Sequence, residues 1–96
     1  MILHTVKQSP FISFSLQDCL LQLGKDDLLL LISDAVIAAT ATGDWSDALI
    51  QLEQSNRLFV LNDDLEARGL THQYGHTVNY ADFVSLSIQC QSHFAW

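Results

Sequence analysis

The stretch Asp27-Leu28-Leu29-Leu30-Leu31-Ile32-Ser33-Asp34 decides the fold. Its apolar run, Leu28 to Ile32, has no polar alternation, which is the pattern of a central strand covered on both faces. Periodicity alone would also admit a short buried helix, but the length of the run favours a strand. No unbroken apolar run in the chain is longer, and it falls far short of the roughly 20 residues that a bilayer-spanning helix needs. No membrane crossing is therefore expected.

Working outward, Ile2 to Val6 reads as another strand, and Ser9-Pro10 interrupts the chain, because the residue before a proline is pushed out of the helical region. A helix is predicted next, capped by Ser15, with Leu16, Cys19, Leu20 and Leu23 forming one apolar stripe and Gly24 ending it. Beyond the central run, Ala35 to Thr42 is rich in small residues and predicts a short helix lying close to the sheet, ended by Gly43. A further helix is expected from Asp44 to Gln54, capped by Asp44 or Ser46. Arg57 to Leu61 reads as a strand, Leu65 to Arg68 as a short helix stopped by Gly69, and Thr77 to Asn79 as a strand. The last helix runs from Tyr80 to about Gln91, with apolar residues spread around more than one face, so it should be covered twice. Alternating strands and helices imply a parallel sheet in a three-layer α/β domain, with function collecting beyond the strands' carboxyl ends. That edge should carry Thr5, Lys7, Ser33, Asp34, Asn62, Asp63 and Asp64.

A chain of 96 residues makes one domain, and at this size it buries only roughly 60 to 65% of its unfolded surface. Hydrophobic residues are 49% of the chain and charged residues 16%, the latter below the roughly 25% of an average soluble domain. The shortfall points to surface that a partner covers. Four Lys/Arg against eleven Asp/Glu give a net charge of −7, a field that repels phosphate backbones and argues against direct nucleic-acid binding. The start of the sequence lacks signal-peptide features, so the expected compartment is the cytoplasm, where Cys19 and Cys90 should be thiols.

Cys19 is the candidate for nucleophilic or sulfur-carrying chemistry, since it lies near the start of a helix whose dipole favours a thiolate. Against that stand its place on the apolar stripe and the neighbouring Asp18 carboxylate. Cys90 has no nearby cation to activate it and reads as a packing residue. His72, His76, Cys90 and His93 have only loose zinc-ligand spacing, with Gly75 interrupting any helix that would align the two histidines. Asp34, Asp63 and Asp64 resemble a magnesium site, yet no lysine follows Lys25 to complete a phosphoacceptor centre. No Gly-x-Gly-x-x-Gly or phosphate loop is present, and neither metal nor cofactor is expected. His4 reads as a structural histidine. Tyr80, Phe83 and Val84 of the last helix, with Trp96, are the expected partner contacts.

Several segments of the chain belong together: Leu3-His4-Thr5-Val6 with Ser9-Pro10-Phe11, Leu29-Leu30-Leu31 leading to Asp34-Ala35-Val36, and Val60-Leu61-Asn62-Asp63-Asp64-Leu65-Glu66-Ala67-Arg68-Gly69. With Tyr80-Ala81-Asp82-Phe83-Val84 and Ala95-Trp96, they resemble the TusB/DsrH family over residues 1–96 as one domain. Ala35 stands where family members often carry glycine. The resemblance implies a DsrE-like fold with a mostly parallel sheet of four or five strands and helices on both faces. It also implies assembly with TusC-like and TusD-like subunits into a heterohexamer that passes persulfide sulfur to a TusE/DsrC-like acceptor. In the Tus branch that sulfur becomes the 2-thio group of tRNA wobble uridines; in the Dsr branch it belongs to dissimilatory sulfur oxidation. The TusB-like subunit is chiefly a partner rather than an enzyme, while Cys19 matches a cysteine of DsrH-like members and is a candidate persulfide carrier. An independent thiol enzyme and a zinc-binding module are the rival classes.

Overall fold

The structure, a computed structural model, describes all residues from Met1 to Trp96. Its strands are β1 (Ile2–Val6), β2 (Leu28–Leu31), β3 (Leu58–Leu61), β4 (His76–Val78) and β5 (Ser92–Ala95). Its α-helices are α1 (Ser15–Gln22), α2 (Ser46–Gln54), α3 (Asn62–Ala67) and α4 (Tyr80–Gln89), and Ser33–Ala39 forms a 3-10 helix. All five strands run parallel in the order β4-β3-β2-β1-β5. The chain steps outward from β1 to β4, and α4 then carries it back to the far side of β1.

The four leucines of β2 show why the run has no polar alternation. Successive strand side chains point to opposite faces; Leu29 and Leu31 enter one core cluster, Leu28 and Leu30 the other. The first cluster holds 16 buried residues, drawn from α1, the 3-10 helix, α2 and α3 as well as the sheet. The second holds 7, and α4 is the helix that covers it, through Leu86 and the following Cys90. The two faces of the sheet are thus unequally covered.

Several local expectations change. Ser13 rather than Ser15 supports the start of α1, its Oγ accepting the Ser15 N–H at 3.1 Å. The small-residue segment is a 3-10 helix beginning at Ser33, whose positive φ of 52° turns the chain directly out of β2. Its Ala35, Val36, Ala38 and Ala39 are fully buried, so their small volumes let the segment lie against the sheet. Neither Asp44 nor Ser46 caps α2 with its side chain; Ser46 Oγ instead accepts the Gly43 N–H at 2.8 Å. Gly69 does stop α3 with a positive φ of 63°, whereas Gly24 and Gly43 end nothing by that route. The last helix ends at Gln89, and Ser92–Ala95 forms an edge strand that sequence reading did not anticipate. All four residues of β5 are exposed and Ser92-His93 are polar, so its strand character comes from pairing with β1.

Candidate functional site: the last helix and the β5 edge

Cys19 is the fifth residue of α1 and has no exposed surface. Burial, and secondarily the negative charge of Asp27, push its thiol up to about 12. It is therefore protonated at neutral pH, and only the thiolate attacks a disulfide or persulfide sulfur. The dipole contribution that would favour a thiolate is confined to the first turn. Burial also raises Cys90, with the N-terminal ammonium pulling the other way and Asp27 adding to the rise. Both cysteines are free thiols.

Sequence reading missed Asp27, the hub of a buried polar network. Its carboxylate accepts the Ile2 N–H at 2.9 Å, the Gly24 N–H at 2.8 Å and His4 Nε2–H at 3.0 Å. Burial alone would raise this carboxyl. The hydrogen bonds from His4, Gly24 and Ile2 outweigh it and hold Asp27 below the ordinary 3.8. On the other side of the ring, Trp96 Nε1–H points at His4 Nδ1 at 3.1 Å. An indole nitrogen only donates, so Nδ1 must be the unprotonated acceptor and His4 a neutral imidazole carrying its proton on Nε2. The His4 and Trp96 rings also stack, with centroids 6.3 Å apart. His4 is structural, as its place in a strand suggested, and it ties the end of the chain to the loop before β2.

The acidic residues at the strands' carboxyl edge have local partners. Arg68 pairs with Asp34 at 2.9 Å and with Asp64 at 3.5 Å, while Asp64 accepts the Ser33 N–H at 2.6 Å. Asp63 is exposed in the first turn of α3. Thr5 is buried on the α4 side and meets His93 Nε2 at 3.2 Å. His76 bonds Asn56, and no three His, Cys, Asp or Glu side chains gather as metal ligands.

The expected contact residues sit on two different faces. Asn79 starts α4 with a capping box, its side chain accepting the Asp82 N–H at 2.8 Å while Asp82 accepts the Asn79 N–H at 3.1 Å. The register this sets turns Leu86 inward and leaves Phe83 half-buried, its ring edge-on to His93. Tyr80, Val84 and Ile88 repeat every fourth residue along one flank, 60%, 56% and 79% exposed. Ile88 thus joins Tyr80 and Val84 in an apolar flank on the thinly covered side of the sheet. Trp96 is half-buried on the opposite face, against the first core cluster.

Comparison with known proteins now decides the family. The model of the "DsrH like protein" family matches residues 8–93. The chain belongs to the DsrH-like family. Among curated members it is 38% identical to Protein TusB of Pectobacterium parmentieri, over 99% of this chain and 100% of that one. It is 35% identical to Protein TusB of Escherichia coli O139:H28, with the same coverage. The crystal structure of the ychN protein from E. coli superposes with a TM-score of 0.79, covering 99% of this chain and 97% of that one at 18% identity. That likeness shows the shared fold, a small α/β domain on an all-parallel five-stranded sheet. None of the helices of this DsrH-like chain is long and apolar enough to cross a membrane.

Proposed function

We propose that this sulfur-relay subunit is an interface partner, built to sit against related subunits rather than to catalyse alone. The observation that carries the reading is the exposed flank Tyr80, Val84 and Ile88 on the only helix that covers the second core cluster. An apolar row of this kind on a small acidic chain gains most by being covered by another protein. The likeness to TusB proteins favours the Tus branch: a cytoplasmic heterohexamer with TusC-like and TusD-like subunits, delivering persulfide sulfur through a TusE/DsrC-like acceptor to tRNA wobble uridine. Membership of the DsrH-like family leaves a DsrH-type role in sulfur oxidation as the second reading. In either branch the sulfur-accepting thiolate belongs to a sister subunit, because Cys19 is enclosed and protonated. Persulfide carriage by Cys19 would require α1 to lift from the sheet.

The test is co-expression with TusC-like and TusD-like proteins, native mass spectrometry of the product, and a persulfide donor added to the purified assembly. The expected result is a hetero-oligomer containing this chain, with added sulfur mass on a sister subunit. A chain that stays monomeric beside both partners overturns the interface reading. Sulfur found on Cys19 of the intact assembly overturns the assignment of the chemistry to a sister subunit.

A further inference from the structure

On the face opposite the α4 flank, a groove of about 530 Å³ opens between α1 and the β5 edge. Phe94 and Trp96 form one wall, their ring centroids 5.0 Å apart, with Phe94 52% exposed. The opposite wall is α1, with Leu21 83% exposed and the Asp18 carboxylate and Gln22 amide beside it. Asp18 pairs with no cation, and none of the chain's lysines or arginines lines the groove. Trp96 is fixed in place by its hydrogen bond to His4, which Asp27 holds in turn, so this wall is preorganised. His4 is neutral and adds no positive charge beneath the rings.

We infer that this groove receives an arginine side chain of a partner protein. Two aromatic faces attract a cation, and a guanidinium stacks on them more readily than an ammonium because it is planar and weakly hydrated. Asp18 supplies the charge-assisted acceptor and the Gln22 carbonyl a second one. The chain's net charge of −7 favours approach by a basic partner. The inference stands apart from the α4 interface, since it concerns the other face of the sheet.

The experiment uses the full-length ¹⁵N-labelled chain, titrated with acetyl-Gly-Arg-Gly-amide and with its neutral citrulline counterpart, following amide and indole resonances. The arginine peptide should shift the Trp96 indole signal together with Phe94 and Leu21, and the citrulline peptide should not. Asp18→Asn should weaken the arginine response about two- to fivefold. Phe94→Leu, which keeps apolar bulk but removes a ring, should weaken it similarly. Unchanged spectra outside the groove establish that both variants remain folded. Equal responses to the two peptides, no response localised to the groove, or an Asp18→Asn chain that binds arginine as well as the parent would each overturn the inference.

Discussion

At the scale of single residues, environment rather than identity sets the chemistry of Cys19 and Asp27. Cys19 should react with iodoacetamide far more slowly than the same cysteine in the urea-unfolded chain, at a rate limited by local opening. Rapid labelling of the folded chain, followed by mass spectrometry, would show that α1 lifts readily and would return Cys19 to the list of sulfur carriers. Its pH linkage has a definite sign. The folded thiol sits at about 12 and the unfolded one near 9.0, so the contribution is complete below about 9 and is lost as pH rises towards 12. Urea midpoints should fall across that window in the parent, and Cys19→Ala should flatten the fall. Asp27 is opposite in sense, since its folded carboxyl lies below 3.8 and its contribution is present above that value. It is lost as pH falls through the folded value. Asp27→Asn removes an acceptor from a buried network of three donors. It should cost about 1–3 kcal/mol at neutral pH, and the gap to the parent should narrow in acid; a gap independent of pH would show that the carboxylate charge is not what the site uses.

At the scale of elements, the turn into β4 is constrained by both backbone conformation and space. Gly75 has φ of 96°, and a Cβ there would come within 2.8 Å of Val60 Cγ2 on the neighbouring strand. Gly75→Ala should therefore destabilise the chain by about 1–3 kcal/mol in urea unfolding, and a neutral result would mean that β4 can shift without penalty. Asn79→Ala, which removes the capping box of α4, should cost about 1 kcal/mol. These local signals also mark how much of the fold could be read beforehand. β2, β3 and α1 are legible because continuous apolar runs or a helical stripe leave few alternatives, β1 because Ile2, Leu3 and Val6 precede the break at Ser9-Pro10, and the two-faced character of α4 points to Tyr80 and Val84. β5 was not legible, because an exposed edge strand carries no burial pattern and is defined by the strand beside it. The Asp27–His4–Trp96 chain was equally hidden. Its partners lie 23 and 92 residues apart, and no local spacing encodes a contact that only the closed sheet creates.

For the whole molecule, the unequal covering of the sheet is the property with functional weight. Four helical segments protect one face, including the 3-10 helix, while the other rests under ten residues of α4. Complete burial of an exposed valine or isoleucine contributes roughly 1.5–3 kcal/mol. Covering the α4 flank therefore offers a partner several kcal/mol, set against the entropy lost on association. The chain folded alone gains little from Val84 and Ile88, which are 56% and 79% exposed. Replacing either with glutamate should leave the urea stability of the isolated chain within about 0.5 kcal/mol of the parent. The same changes should sharply weaken the proposed assembly with TusC-like and TusD-like subunits, because a carboxylate would be desolvated in the joint interface. Sedimentation velocity on the mixed proteins separates the possibilities. Loss of the hetero-oligomer with an intact fold assigns the α4 flank to the partner, whereas assembly unaffected by both substitutions moves the interface to another face of the sheet.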